Sequence, residues 1–273
     1  GPGYQFYTAD MQQRVQSQYS TEVALYRGLE RNEFELHYQP KVELKSGRII
    51  GVEALLRWNR PGFGLQQPDS FIGLLEQTGL IMDAGDWVLR EACRAVLGMP
   101  LTLAVNMSPR QFRHPRLAER VARTLADVGF PPERLELEIT EQIVMDDETG
   151  AIRMLQDLSD RGVRLALDDY GTGFSSLQRL KRMPLHMLKI DKSFVTQLVA
   201  NHDDAAIVRS TIELCHQLGI TVVAEGVEDD GAMRLLDSYG CDQVQVYGIC
   251  RPLTLTALTE WLGAAPVPSL PSA

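Results

Sequence analysis

The sequence has no apolar run long enough to cross a membrane, and no charged-then-apolar leader at its start. A membrane-spanning helix needs roughly 18 to 20 consecutive apolar residues, and every apolar stretch here is interrupted earlier. We therefore expect a soluble, cytoplasmic domain. Any membrane anchor of a longer protein is expected outside this chain, so no membrane contact is predicted from these residues.

Basic residues are scarce relative to acidic ones. The chain has 27 Lys and Arg against 36 Asp and Glu, which gives a formal net charge of −9. Binding a nucleic-acid polymer requires clustered Lys and Arg to neutralise phosphates. The composition therefore argues against a nucleic-acid polymer as partner. A small phosphate ligand stays open if metal ions screen its charge.

Cysteine and histidine motifs are also missing. The four cysteines contain no Cys-x-x-Cys pair, and the five histidines contain no pair spaced i, i+4. Zinc sites and disulfide frameworks are usually recognised from such spacings. The sequence therefore predicts neither.

Short β-type runs alternate with helical segments along most of the chain. In the helical segments, apolar residues recur at helical spacing, as in the stripe of Leu117, Val121 and Leu125. Eight strands with intervening helices in about 250 residues are typical of a (β/α)₈ barrel of the TIM type, and an open, doubly wound sheet is the alternative. The predicted strands are residues 34–40, 49–58, 101–108, 134–140, 164–170, 186–191, 221–227 and 242–248.

The connection between the first two predicted strands differs from those of a regular (β/α)₈ barrel, in which a helix joins successive strands. Residues 41–50 contain a Ser46-Gly47 turn and leave no room for a helix. Parallel neighbours need a crossover of about a dozen residues or more, so the first strand is predicted to run antiparallel to the second. The fold prediction is therefore a modified TIM (β/α)₈ barrel with an antiparallel first strand.

Every predicted strand carries a polar residue near one end. In such barrels the chemistry gathers where the parallel strands finish. A single acid at a strand end is more often a helix cap or a solvated turn residue, but many acids around one mouth need cations. The residues are Gln39, Glu53, Asn106, Glu138, Asp168, Asp169, Lys189, Asp191, Glu225 and Gln245.

The oxygen-rich set predicts a hard divalent cation. Asp, Glu and Asn ligands without His or Cys suit Mg²⁺ or Mn²⁺. The adjacent Asp168 and Asp169, followed by Gly171-Thr172-Gly173, can bridge two ions about 3.5 to 4 Å apart, which is the spacing used for in-line phosphoryl displacement. We therefore expect two ions.

Eight motifs in order resemble the EAL domain, the cyclic di-GMP phosphodiesterase family. The resemblance covers roughly residues 22–263 and implies a metal-dependent barrel that hydrolyses cyclic di-GMP to linear pGpG. The motifs are YQP, EALLRW, VNMS, LEITE, LALDDYGTG, LKID, AEGVE and GCDQVQ.

The resemblance also implies roles for individual residues. Glu53, Asn106, Glu138 and Asp168 match ligands of the first ion, Asp169 a ligand of the second ion, and Glu225 a further ligand or water-positioning carboxylate. Lys189 matches the lysine that holds or deprotonates the attacking water. Glu53, Asp169, Lys189 and Glu225 thus form the implied catalytic set. Gln39, Arg57, Asp191, Glu228 and Gln245 match substrate-binding positions, and Glu141 matches the residue that anchors the glycine loop.

The chain departs from the family pattern at two positions. Tyr170 stands where the family usually has Phe, and Val246 replaces a usual glycine. A β-branched side chain at Val246 can hinder close backbone approach, which puts activity or nucleotide fit in doubt.

The ends of the chain are predicted to lie outside the barrel. Residues 1–21 are interpreted as a tag remnant and linker, or the end of a preceding GGDEF-like domain, and residues 264–273 as a disordered tail. The helix-prone residues 8–33, with Tyr26 and Leu29 on the apolar side, are expected to form a linker or to pack beneath the barrel floor. A homodimer is expected, since family members often pair through the region after the glycine loop.

Two other functions stay open at this point. One is a receptor that binds cyclic di-GMP without hydrolysis, and Val246 is the only sequence feature that favours it. The other is a different Mg²⁺-dependent barrel enzyme that abstracts a proton with Lys189 as base.

Overall fold

Eight strands lie side by side around a closed barrel, and two short strands flank it. The computed structural model describes residues 9–171, 177–246 and 251–264. The strands in these ranges are β1 (Phe34–Glu43), β2 (Ile49–Arg60), β3 (Gly64–Gln66), β4 (Thr102–Asn106), β5 (Leu135–Thr140), β6 (Arg164–Tyr170), β7 (Met187–Ile190), β8 (Thr221–Val227), β9 (Gln243–Val246) and β10 (Leu253–Thr254).

The barrel closes because β1 pairs on both of its sides. The strand order is β1-β9-β8-β7-β6-β5-β4-β2, and β2 pairs with β1 to complete the ring. Neighbours from β2 round to β9 are parallel, whereas β1 is antiparallel to both β2 and β9. This confirms the modified barrel with an antiparallel first strand and excludes the open sheet.

Helices surround the barrel wall. The helices of the described ranges are α1 (Ala9–Glu30), α2 (Ile72–Thr78), α3 (Ile81–Val96), α4 (Pro109–Phe112), α5 (Leu117–Val128), α6 (Glu141–Asp146), α7 (Glu148–Asp160), α8 (Leu177–Arg182), α9 (Lys192–Thr196), α10 (His202–Gln217), α11 (Asp230–Ser238) and α12 (Leu255–Ala264), with 3₁₀ turns at Pro68–Ser70 and Pro132–Arg134. Leu117, Val121 and Leu125 of α5 are buried, as their spacing predicts.

The strands separate an apolar layer from a polar interior. On β5, Leu135, Leu137 and Ile139 point outward into the core, while Glu136 and Glu138 alternate with them and point into the barrel. Side chains of a strand alternate between its two faces, and here both faces are buried. The main core therefore lies between strands and helices, whereas the barrel interior holds charged groups together with a small separate apolar cluster of Ala166, Met187 and Val223.

Helix α1 packs at the mouth of the barrel, which is the end where the parallel strands finish. β1 begins at Phe34, opposite Trp58 near the end of β2, so the preceding helix arrives at this end. Arg60, the last residue of β2, donates to the Thr21 hydroxyl at 3.2 Å. The expectation that this helix lies beneath the barrel floor is therefore wrong.

The buried face of α1 agrees with the predicted one at Leu29, which packs against the core, but not at Tyr26. Tyr26 is 49% exposed, whereas the neighbouring Leu25 is fully buried. A Cβ atom on Gly28 would lie only 2.9 Å from Trp58 Nε1. Leu25 and Gly28 are three residues apart and share one helix face, so the glycine lets this face approach the barrel closely.

Some predictions concern residues outside the described ranges. They are residues 3–8 of the GGDEF-like segment, the glycine loop at 172–176, the Val246 side chain and the tail from residue 265. The domain boundaries predicted from the sequence also stay predictions.

In the described ranges, no helix combines the length and apolar character that a membrane span requires.

We expect Leu25→Ala to lower the free energy of unfolding by about 2 to 5 kcal/mol, because it empties a fully buried site. Tyr26→Ala, one residue along on the exposed side of the same helix, should change it by less than about 0.5 kcal/mol. Urea denaturation followed by circular dichroism measures both. Equal losses in the two variants would contradict the observed orientation of α1.

Candidate functional site

Lys189 on β7 places a single buried ammonium group among four carboxylates. Its Nζ lies 2.7 Å from Glu138 Oε2, 2.7 Å from Glu225 Oε1, 3.2 Å from Asp168 Oδ1 and 3.7 Å from Glu53 Oε2. The lysine side chain is only 1% exposed. The structure therefore brings together acids from β2, β5, β6 and β8, as the sequence predicts.

A local irregularity of β6 explains how two consecutive acids reach the same mouth. The register between β6 and β7 shifts between Leu167 and Tyr170, and Asp169 has a φ of 54°. Such a bulge redirects a side chain that would otherwise point to the opposite face. The Asp169 amide also donates to Asp168 Oδ1 at 3.0 Å.

A second irregularity follows Glu225 on β8. The register between β8 and β9 shifts between Glu225 and Val227, and Gly226 has a φ of 65°. A Cβ atom on Gly226 would lie 2.6 Å from Lys192 Cβ, so this position requires glycine. One oxygen each of Asp168, Asp169 and Glu225 then lies within 4.8 Å of the others.

Glu53 on β2 is held by two amide side chains. Asn106 Nδ2 donates to its Oε1 at 2.6 Å, and Gln245 Nε2 donates to its Oε2 at 2.7 Å. Burial alone would raise the pKa of Glu53, but the Lys189 charge and these two hydrogen bonds keep it below its ordinary value. Glu53 is therefore an ionised carboxylate with fixed orientation.

Lys189 and Glu138 show the strongest electrostatic effects of the site. Burial favours neutral Lys189, but Glu138, Glu53, Glu225 and Asp168 together raise its pKa well above the ordinary value. Burial and the neighbouring Glu53 charge raise the pKa of Glu138 well above its ordinary value, although Lys189 opposes this. The cluster thus contains more negative charge than its lysine balances.

Glu225 and Asp169, two further acids at the mouth, also have raised pKa values. Burial is the main cause at Glu225, whose pKa rises to about 7 although Lys189 acts in the opposite direction. Burial and the charges of Asp168 and Asp191 raise the pKa of Asp169. Shifts of this size at convergent carboxylates are typical of functional sites.

Deeper in the barrel lies an ion pair that the sequence analysis missed. Lys41 Nζ is 2.5 Å from Glu136 Oε2. Burial alone would raise the pKa of Glu136, but the nearby Lys41 charge outweighs this effect, and the pKa lies below its ordinary value. The sequence contains a pattern that points to this pair, because residues two positions apart on a strand share a face. Lys41 lies two residues after Gln39, and Glu136 lies two residues before Glu138.

Two of the predicted substrate-binding residues lie on β1 and β2. Gln39 is 6% exposed and is paired in register with Glu53. Arg57 is also 6% exposed, and its Nη1 donates to the Leu56 carbonyl at 2.8 Å. Both residues are therefore buried in this structure, and Gln39 lies beside Glu53 of the acidic cluster.

The other predicted residues lie at the rim. Asp191 caps α9 by accepting from the Ser193 amide at 2.9 Å, and Glu228 is exposed just after β8. Glu141 Oε1 accepts from the Gly171 amide at 3.5 Å, at the start of the glycine loop. Asp191 therefore has a structural contact beside its predicted role, whereas Glu141 contacts the start of the loop that it is predicted to anchor.

Comparison with known proteins places this arrangement in a family. Residues 22–252 match the EAL domain family. The bifunctional diguanylate cyclase/cyclic di-GMP phosphodiesterase MucR of Pseudomonas aeruginosa is 42% identical over 92% of this chain, and the cyclic di-GMP phosphodiesterase NbdA of the same organism is 39% identical over 95%. The chain spans only 38% and 34% of the length of these two relatives.

Solved structures agree with the sequence matches. A MucR phosphodiesterase in complex with c-di-GMP superposes with a TM-score of 0.83 at 43% identity, covering 86% of this chain and 97% of that one. The EAL enzyme Bd1971, bound to cAMP and cyclic di-GMP, gives a TM-score of 0.86 at 33% identity, covering 91% of this chain and 70% of that one. The chain belongs to the EAL domain family.

Proposed function

We propose that this chain is a phosphodiesterase that hydrolyses cyclic di-GMP to linear pGpG with the help of two divalent metal ions. The observation that carries the proposal is the convergence of four carboxylates and Lys189 at the barrel mouth. It is supported by relatives that are named cyclic di-GMP phosphodiesterases and by a related structure in complex with c-di-GMP.

The donor set fits hard divalent cations. Glu138 Oε1 and Gln245 Oε1 are buried without a hydrogen-bond partner, although buried polar atoms are usually paired. The candidate ligands named below offer carboxylate and amide oxygens and include no His or Cys, which favours Mg²⁺ or Mn²⁺. The residues proposed to hold two ions are Glu53, Asn106, Glu138, Asp168, Asp169 and Glu225. When bound, such ions polarise the phosphate and lower the pKa of water.

Lys189 acts in this proposal as a cation that orients groups. Its ammonium group lies 2.7 Å from both Glu138 Oε2 and Glu225 Oε1, so its position is fixed from two sides. This supports the role of holding the attacking water, one of the two roles that the sequence left open.

The substrate is proposed to lie across the mouth, along Gln39, Arg57, Asp191, Glu228 and Gln245. A guanidinium group matches phosphate oxygens with two parallel hydrogen bonds, which assigns Arg57 to a substrate phosphate. Glu141 is proposed to hold the start of the glycine loop through the Gly171 amide. A homodimer through the region after this loop stays part of the proposal.

The deciding experiment is incubation of the purified chain with cyclic di-GMP and Mg²⁺ or Mn²⁺, with an EDTA control, followed by chromatography. We expect metal-dependent pGpG. Bound but unchanged cyclic di-GMP would instead identify a non-hydrolysing receptor and direct attention to Val246.

Glu53→Ala should reduce metal-dependent hydrolysis about 100-fold or more, since it removes a proposed ligand and the acceptor of both amide hydrogen bonds. Glu213→Ala, which breaks an exposed pair with Arg209 on α10, is the matched control and should retain wild-type rates. Initial rates of pGpG formation measure both. Near-normal hydrolysis by Glu53→Ala would contradict the assignment.

The affinity for Mn²⁺ should be about tenfold weaker at pH 6 than at pH 8. Because the pKa of Glu225 is raised to about 7, this carboxyl is mostly protonated at pH 6 and must lose its proton to bind a cation. Above pH 7 the group is already ionised, so the affinity should level off. Titration of free Mn²⁺ by electron paramagnetic resonance measures the effect, and Glu225→Gln should flatten it. An equally steep dependence in Glu225→Gln would refute this explanation.

A further inference from the structure

A second buried lysine lies below the acidic cluster. Lys41 is on β1, the antiparallel strand, and its side chain has no exposed surface. The side chain crosses the barrel interior to β5, where it meets Glu136. Lys41 therefore brings a second positive charge into the interior, one layer deeper than Lys189.

The two lysines face different oxygens of one carboxylate. Lys189 Nζ lies 2.7 Å from Glu138 Oε2, whereas Lys41 Nζ lies 4.0 Å from Glu138 Oε1. Glu138 Oε1 is the oxygen without a hydrogen-bond partner. Lys41 thus stands just beyond hydrogen-bond distance of a free ligand atom, because its ammonium group is 2.5 Å from Glu136 Oε2 instead.

The surroundings fit this pairing closely. A Cβ atom on Gly51 would lie 2.2 Å from Thr102 Oγ1 and 3.3 Å from Lys41 Cε, so glycine leaves space for the lysine chain. The Thr102 hydroxyl donates to the Ile50 carbonyl at 3.3 Å. The Glu136 side chain is held by the Lys41 ammonium group, which donates to its Oε2.

Stability alone is a weak reason for such a pair. Removing two charges from water is costly, and apolar replacements of similar volume are often equally stable. If Glu136 lost its charge, the buried ammonium of Lys41 would turn to the next carboxylate oxygen, which is Glu138 Oε1. That contact would occupy the oxygen that a metal ion needs.

We propose that Glu136 is a positioning residue that holds Lys41 away from Glu138, so that Glu138 Oε1 remains available to a divalent cation. The inference rests on the proposed metal-dependent function and adds two residues to it. Glu136 and Lys41 touch neither the cation nor the substrate. They act through Glu138 and determine the metal affinity of the site.

The test compares Mn²⁺ binding by wild type, Glu136→Gln and the double variant Lys41→Met/Glu136→Gln, at one pH and without substrate. We expect Glu136→Gln to bind Mn²⁺ about 10- to 100-fold more weakly, the range typical for residues that orient metal ligands. The double variant should recover to within about threefold of wild type, because the competing ammonium is gone. Electron paramagnetic resonance of free Mn²⁺ gives the affinities.

Glu133→Gln, an exposed change just before β5, is the control and should bind like wild type. The inference is overturned if Glu136→Gln binds Mn²⁺ with wild-type affinity. It is also overturned if the double variant binds Mn²⁺ as weakly as Glu136→Gln, because a purely structural role of Glu136 predicts no recovery. Should Glu136→Gln fail to fold, the double variant decides, and a tenfold loss there contradicts the proposal. Failure of the wild type itself to bind Mn²⁺ refutes the proposed metal-dependent function, and the inference with it.

Discussion

Lys189 neutralises only part of the negative charge that the barrel collects at its mouth. Four carboxylates from four strands lie within 4 Å of its ammonium group. Burial and, after it, the charges of neighbouring carboxylates raise the pKa values of Glu138 and Glu225, because like charges repel strongly in a poorly solvated interior. The arrangement persists because the lysine links the acids, and it leaves an excess of negative charge that suits divalent cations.

The barrel produces this concentration of charge by its geometry. Parallel strands end at one mouth, and alternate residues of each strand point into the interior. The bulge at Asp168 and Asp169 turns a further acid toward the same point, and a second irregularity follows Glu225 at Gly226. The antiparallel β1 contributes Lys41 from the opposite direction, so that the deeper layer has its own ion pair with Glu136.

The sequence predicts the strands and the acids well, because strand alternation and strand-end position are local patterns. It does not reveal the contacts that depend on tertiary packing. The prediction that Tyr26 lies on the apolar side of its helix was wrong because the helix approaches Trp58 through Gly28, a residue that carries no hydrophobic signal. Lys41 and Glu136 were missed because the partners are 95 residues apart, although each shares a strand face with a predicted site residue. The positive φ of Asp169 accompanies the bulge in β6, and Asp is among the few residues besides glycine that adopt such a φ.

The most direct test of the metal-binding role is anomalous diffraction from crystals of this chain soaked with Mn²⁺. The account predicts manganese peaks in the space bounded by Glu53, Glu138, Asp168, Asp169 and Glu225, with Asn106 among the ligands. The account would be contradicted by an ordered crystal that shows no manganese peak in this cluster and in which Lys189 still contacts Glu225 and Asp168 as it does here.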